Sequence, residues 1–532
     1  MAAATMIPST LAECDGYNEA FLLELRCHIG NRPNATTAWG ATSSRLPIQV
    51  TFHATQPPLP SYLCVHCPAL DFHRSAPRVV ATDADLVLLR IPINPNAPDD
   101  VKSWDFFLYR PRAHKLNLLP NPHPRSFHDS ATALLSRDSG AWYAVAAISN
   151  WSPVYETETE SSSDAPIIRW EFQLHLYRSY SCDSKAWITM PMLVDELVRD
   201  KLVPLPDSPV CKKRYHETAK TITLGGERGT VAWVDLWRGI LLCDVLVERP
   251  VIVQDIPLPV PARENWGRLL WQLDPNYIRD VAMSRHKDTI KYIEMEIWTP
   301  RMLHKDPDSY LDWVRCKPSV TQVTPGGWKA KTWSLAIPPV GAGSFADWQP
   351  DCEIGVEHCN IDDDDLLSDS DSGSDTTLRL EKLRMAMANP SKPTISIYNS
   401  DIVYFISSIK PEGMEKLEML IAVNVRNKIL LGVAQRAAQK NINPPMPAFL
   451  TSEICTYLSK SAGTPVQPKR TEKEAVKPTH KKEGKPTRVQ VDERTGKTRP
   501  PVNPRVMNTL EHSFRRLGEQ MKNAETGDQG AC

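Results

Sequence analysis

A loosely repeated unit of paired strands constrains this chain more than any other feature. The units end in short apolar strands that run into proline: Leu116-Asn117-Leu118-Leu119-Pro120, Trp187-Ile188-Thr189-Met190-Pro191, Val253-Gln254-Asp255-Ile256-Pro257 and Trp333-Ser334-Leu335-Ala336-Ile337-Pro338. Divergent recurrence of this kind points to β-sheets repeated around an axis. Such folds serve as binding platforms, and the platform says little about its ligand.

Two outer hairpins share one plan of aromatic-Arg, polar turn, apolar strand and proline. One runs from Phe106-Phe107-Leu108-Tyr109-Arg110 to Leu116–Leu119, the other from Phe172–Arg178 through Ser181–Lys185 to Trp187–Met190. Inner hairpins read as Ala131–Leu135 with Trp142–Ile148, Thr221–Leu224 with Val231–Val234, Val281–Met283 with Ile290–Ile297, and Ile395–Tyr398 with Ile402–Ile406. Their turns carry Gly, Asn, Asp and Ser, which supply positive φ or side-chain caps. An inner plus an outer hairpin makes the four strands of a propeller blade, and residues 220–259 fit one blade with almost no excess. Further strands read at Phe21–Cys27, Ile48–His53, Tyr62–His66 and Leu86–Ile91. The expected fold is all-β and propeller-like, with about five to six four-stranded blades over residues 17–436.

The net charge of -1 hides a segregation of sign along the 532 residues. An acidic insertion over about 347–378, with Asp362-Asp363-Asp364-Asp365 and alternating Ser and Asp after it, is expected to be disordered. A short helix is expected over 447–460, then a basic, disordered tail over 461–507 and a short amphipathic helix over 508–525. Residues 460–505 hold 13 Lys and Arg against 5 Asp and Glu, in keeping with a solvated tail, an import signal, or phosphate contact through charge alone. That tail lacks interleaved aromatics for stacking on bases, so nucleic acid is a partner only through its charge. The acidic serines suit acidophilic kinases. No run of about 18 apolar residues is present, so no membrane span is expected. The first residues lack a basic segment followed by an apolar one, so a cytoplasmic or nuclear location with reduced cysteines is expected.

Catalytic signatures are missing from the sequence. Gly341-Ala342-Gly343-Ser344-Phe345 lacks the flanking pattern of a nucleophile elbow, and neither a phosphate-binding Gly-rich loop nor a His-Glu-x-x-His helix occurs. Cys64-Val65-His66-Cys67 is half of a zinc site at most, because no second pair stands at suitable spacing. No catalytic, metal or cofactor residue is assigned. The densest aromatic motif, Val231-Ala232-Trp233-Val234-Asp235-Leu236-Trp237-Arg238-Gly239, reads as a blade corner in which Asp235 caps the bend, Gly239 takes an unusual backbone angle and the tryptophans pack between blades. Trp233, Asp235, Trp237 and Arg238 are therefore expected to define the fold rather than a site.

This motif, with Tyr62-Leu63-Cys64-Val65-His66-Cys67-Pro68 upstream and Tyr277-Ile278-Arg279-Asp280-Val281 downstream, resembles the plant domain-of-unknown-function 1618 family, which is expanded in grasses. The defining region corresponds to about Trp233–Pro338. The resemblance implies a propeller-like body similar to F-box-associated β-propellers, no established activity and no catalytic residues to carry over. The segment ahead of residue 17 does not read as an F-box-like helical region, so a ubiquitin-adaptor role is not implied. The functional expectation is a non-enzymatic protein-interaction scaffold with a protein or peptide partner. The alternatives are a nuclear regulator touching nucleic acid through its basic tail, and an enzyme with a site at the propeller axis.

Overall fold

The computed structural model describes residues 21–458 apart from the spans 156–166, 180–186, 206–215, 268–273, 299–308, 316–326, 338–346, 356–386, 410–416 and 438–448 and a few shorter breaks. The chain divides into two units, 1–463 and 464–532, and every described residue belongs to the first. The acidic run, the basic tail and the helix expected over 508–525 thus lie outside the described residues.

The described chain opens with β1 (Phe21–Glu24), β2 (His28–Ile29), β3 (Ala38–Ala41), β4 (Pro47–His53) and β5 (Tyr62–His66). Five four-stranded antiparallel meanders follow, each taking its strands in chain order. Blade 1 is β6 (Arg78–Asp83), β7 (Leu86–Pro92), β8 (Trp104–Arg110) and β9 (Lys115–Leu118); blade 2 is β10 (Thr132–Arg137), β11 (Trp142–Tyr155), β12 (Ile167–Arg178) and β13 (Ile188–Asp195). After the short helix α1 (Val198–Leu202) comes blade 3, β14 (Lys220–Gly225), β15 (Thr230–Asp235), β16 (Gly239–Asp244) and β17 (Val251–Pro257). Blade 4 is β18 (Arg279–Met283), β19 (Thr289–Trp298), β20 (Gly327–Ala336) and β21 (Gln349–Gly355), with α2 (Tyr310–Arg315) between β19 and β20. Blade 5 is β22 (Pro390–Ile395), β23 (Ile402–Ile409), β24 (Leu417–Asn424) and β25 (Ile429–Ala437); β26 (Phe449–Ser452) and α3 (Ile454–Leu458) end the described chain.

A sixth blade closes the ring from both ends of the chain. β26 pairs antiparallel with β1, with Phe21 opposite Ser452 and Glu24 opposite Phe449. β1 and β2 run parallel to β5 through the Leu23–Ser61 bridge and the His28–Cys64 pairing, and β4 and β3 continue the sheet outward. The six innermost strands β6, β10, β14, β18, β22 and β26 follow one another around the axis. Each of the six blade interfaces has its own apolar cluster, for example Leu88, Phe106, Leu134 and Trp187 between blades 1 and 2, and Leu22, Tyr404, Ile406 and Phe449 between blades 5 and 6.

This arrangement explains the sequence pattern of β15 and β16, which read as unbroken apolar runs. Val231 and Trp233 enter the core shared with blade 2, while Ala232 and Val234 enter the core shared with blade 4. Side chains alternate between faces, and both faces are covered, so neither face selects polar residues.

Unpaired inner edges are tied by side chains. The Thr221 and Thr223 hydroxyls donate to the Thr132 and Leu134 carbonyls at 2.9 and 2.8 Å, Asp83 Oδ2 accepts from the Ser136 N–H at 2.6 Å, and Asp280 Oδ2 accepts from the Ile395 N–H at 2.9 Å. These bonds satisfy the strand edges that a free sheet would leave open.

Four expectations need correction. The body does not end at residue 436, because β26 at 449–452 supplies the inner strand of blade 6. The helix expected over 447–460 is therefore this strand followed by α3; the apolar period was too short to tell a strand from a helix. The acidic insertion begins after residue 355, since Gln349–Gly355 is the outer strand of blade 4, its Asp351 and Glu353 neutralised by Lys291 at 2.8 Å and Lys331 at 3.0 Å. For the same reason the Trp333–Pro338 ending falls on the third strand of its sheet, whereas the other three endings fall on fourth strands.

Candidate functional site: the loop-bearing face

The inner strands run in the same direction, so the two ends of the ring differ. At the end where they finish, the first strand of each blade turns into the second through 84–85, 138–141, 226–229, 284–288 and 396–401. At the opposite end the strands joined by the blade-to-blade connections 119–131, 196–219, 258–278 and 356–389, and by the β19–β20 connection 299–326, finish and begin. The longest connections thus join strands at that second end, and among the described residues they carry α1 and α2.

The corner joining β15 to β16 stands on this loop-bearing face. Asp235 Oδ1 accepts from the Trp237 N–H at 2.9 Å and its Oδ2 from the Glu217 N–H at 3.2 Å, so the carboxylate holds both the bend and the incoming connection. Trp233 is buried and donates to the Ala131 carbonyl at 2.9 Å, joining blade 3 to blade 2. Arg238 is paired with Asp200 of α1. Gly239 is required by proximity rather than by an unusual φ: a Cβ there would stand 2.6 Å from the Ile256 carbonyl oxygen and 3.1 Å from Arg199 Cζ.

Two buried polar networks underlie the face. Arg279 on β18 is fully buried, donates to the Leu236 and Trp237 carbonyls at 2.9 and 3.1 Å, and lies 4.6 Å from the Trp237 ring centre. Its partner Glu294, on β19, accepts at 2.7 Å and also receives the Asn265 amide at 2.7 Å, the Ala262 N–H at 3.0 Å and the Tyr292 hydroxyl at 3.2 Å. Burial is the largest influence and opposes the Arg279 charge, but Glu294 with Tyr292 and Tyr310 together move the Arg279 pKa up; burial pushes Tyr292 far up as well. Arg199 of α1 is likewise fully buried, ion-paired with Asp255, and 3.1 Å from His216 Nδ1. Burial, then Arg199 and Arg238, push the His216 pKa well down, so its Nδ1 accepts from the guanidinium and the ring is neutral. These networks fix the connections to the blades.

At the axis, on the other face, Asp83 stands 3.9 Å from Lys287, and burial followed by Glu453 raises its pKa against the opposing effects of Lys287 and the Ser136 N–H. Its carboxylate is engaged in closing the ring, a structural task. Cys67 lies in the core between blades 6 and 1, and burial pushes the Cys64 thiol up to about 11. Among the described residues no group of three or more His, Cys, Asp or Glu is placed to hold a metal ion, and no helix is long and apolar enough to cross a membrane.

Asp235, Trp237 and Arg238 thus join the Arg279–Glu294 and Arg199–Asp255 networks in a polar hub of the face, whereas Trp233 sits in the core shared with blade 2. Sequence reading placed Arg279 and Asp280 in a quoted motif but assigned them no role; Arg199, His216 and Glu294 carried no local signal. Residues 233–404 match the model of a family described as a protein of unknown function, DUF1618, which extends beyond the expected Pro338. No curated protein matches the chain.

Proposed function

We propose, for a chain whose residues 233–404 carry the DUF1618 domain, a non-enzymatic interaction platform that receives a protein or peptide partner on its loop-bearing face. The observation that carries this reading is the asymmetry of the connections: at one end of the ring none is longer than the 12 residues of 337–348, whereas 196–219, 258–278, 299–326 and 356–389 at the other have 21 or more. A rigid ring with elaborated loops at one end is a fold on which binding residues vary without disturbing the core. The polar hub beneath is spent on fixing those loops, which favours positioning over chemistry.

The test is cross-linking of a partner bound from native extract, with the linked lysines mapped. Links from Lys201 and Lys329 on the loop-bearing face are expected; links confined to Lys115, Lys287 and Lys428 at the turn face would overturn the reading. A second reading is favoured by the basic excess of residues 460–505: nuclear placement and charge-driven contact with nucleic acid through the tail. Deleting 464–505 is then expected to abolish nuclear enrichment and salt-dependent DNA binding, and unchanged behaviour removes it.

A further inference from the structure

Three arginines stand in one row across the axial edge of blade 1. Arg78, the first residue of β6, lies opposite Arg90 of β7 in the antiparallel register. On the other side of β6, its axial side, an antiparallel bridge places Arg26 opposite Arg78. Two bonds flank that bridge, from the Cys27 N–H to the Pro77 carbonyl at 2.9 Å and from the Val79 N–H to the Leu25 carbonyl at 2.7 Å. They make Arg26 and Arg78 a non-hydrogen-bonded pair, the kind whose opposite side chains stand closest. Chain neighbours fix the face. Leu25, Cys27, Val79 and Leu89 enter the core between blades 6 and 1, so alternation turns the three arginines to the opposite side of the sheet. Like charges set directly opposite one another destabilise a sheet, and here the opposition occurs twice in succession.

Blade 2 sets a carboxylate against the row. Asp129, in the turn that leads into β10, is buried and accepts from Arg90 Nη1 at 2.7 Å, while the same guanidinium lies 3.8 Å from the Trp104 ring centre. Arg90 is thus held from two sides. Burial is the largest influence on Arg78 and opposes its charge; Asp129 favours the charge, Arg90 and Arg26 oppose it, and the Arg78 pKa is moved down. Three guanidinium groups and the Asp129 carboxylate sum to two positive charges. Lys220, the first residue of β14, is engaged by Asp280 at 2.7 Å and adds no net charge. The row lies at the axis on the loop-bearing side, because the innermost strand β6 begins at that end of the ring. Arg26 and Arg78 are partly exposed there, so a solute reaches them.

We propose that this row is a binding site for a phosphomonoester dianion, with Arg26 and Arg78 donating to its oxygens and Arg90, anchored by Asp129 and Trp104, adding charge behind them. The dianion is carried either by a small phosphate ester or by a phosphorylated side chain of a partner. An excess of two positive charges matches a group that carries about two negative charges near neutral pH, whereas a sulfate ester or a phosphodiester carries one. Guanidinium forks also fit phosphoryl oxygens bidentately, and adjacent arginines offer two such forks. The site goes beyond the platform reading and does not depend on it.

The experiment titrates the full-length protein calorimetrically with two probes, glycerol phosphate and a short glycine peptide with a central phosphoserine. The comparison ligands are the sulfate esters of the same two carriers and a short DNA duplex. At least one phosphorylated probe is expected to bind about tenfold more tightly than its sulfate ester, and which of the two binds better identifies the source. Arg26→Gln and Arg78→Gln are each expected to weaken binding at least about tenfold. Thermal melting separates this from a merely structural role. Each glutamine removes a like-charge opposition, so without a probe both variants should melt no lower than the parent protein. The probe should raise the melting temperature of the parent and leave that of the variants unmoved. If a glutamine variant melts below the parent, Arg26→Lys and Arg78→Lys carry the test, because they keep the charge and lose the fork. Parental affinity in both lysine variants, or in both glutamine variants, overturns the proposal. So does a failure of both probes to bind, or binding of a sulfate ester or the duplex as tight as that of the probes. Partner cross-links confined to the turn face sink the platform reading and leave this site standing; failure of the titration sinks this site alone.

Discussion

The Arg279–Glu294 pair gives the sharpest test of how the hub holds the loop-bearing face. In Glu294→Gln the side chain keeps its shape and loses its charge, leaving the fully buried Arg279 guanidinium without a counter-ion. Removing one member of a buried pair costs about 3–5 kcal/mol, because the remaining charge is desolvated and uncompensated. Glu294 also accepts from Asn265, Ala262 and Tyr292, and an amide offers one acceptor where the carboxylate offers two, which places the expectation toward the upper end. The same substitution at Glu353, in the same sheet but paired with Lys331 where both side chains are nearly half exposed (48% and 43%), should cost no more than about 1 kcal/mol. Urea unfolding of both variants, followed by tryptophan fluorescence, measures the difference. Adding Arg279→Met to Glu294→Gln removes the stranded charge, so the double variant should lose less than the sum of the single losses. A loss below about 1 kcal/mol for Glu294→Gln, or equal losses at Glu294 and Glu353, would refute the view that burial of this pair fixes the corner.

Stability should fall as pH drops below about 6.5, the ordinary histidine value. His175, held between Ser149 at 2.7 Å and Thr189 at 3.0 Å, has its pKa lowered to about 4 by burial and then by Arg125, and burial lowers His53 and His216 too. The unfolded chain then binds more protons than the native one, so stability present above 6.5 is lost between about 6.5 and about 4, with His175 contributing at most about 2 kcal/mol at pH 5. Urea midpoints at a series of pH values check this, and a flat profile from pH 7.5 to 5 contradicts it. Gly239→Ala should destabilise by about 2 kcal/mol or more, since the new Cβ must displace the Ile256 carbonyl or the Arg199 guanidinium; thermal melting that matches the parent protein would show that the corner relaxes freely. Truncation before residue 447 removes β26 and should strip β1 of its antiparallel partner, giving faster amide exchange at Leu23, opposite Leu450, than at Glu24, which keeps its bond to the Ser61 carbonyl; equal protection at both would mean that blade 6 closes without β26.

Local sequence determined the hairpins. In blade 3, Thr221–Leu224, the turn 226–229 and Val231–Val234 are adjacent in the chain, and their turn glycines at 226 and 229 take φ of 69° and 66°. Alternation and turn chemistry act over a few residues, so the four-stranded meanders were readable from residues alone, and so was the structural role of the Asp235 corner. Pairings between distant segments were not. β26 joins β1 across more than 400 residues, and the four residues of each carry no period that names the other. Gln349–Gly355 looked too acidic to order, because the lysines that neutralise it stand on β19 and β20. Arg279 and Glu294 face each other across the β18–β19 hairpin, but the bonds of Arg279 to the Leu236 and Trp237 carbonyls exist only because blade 4 stacks on blade 3, and Arg199 meets Asp255 and His216 only when the connection 196–219 folds onto β17. Which side of a short helix is buried depends on what the rest of the fold sets against it, and that is fixed by packing around the ring, not by the five residues of α1.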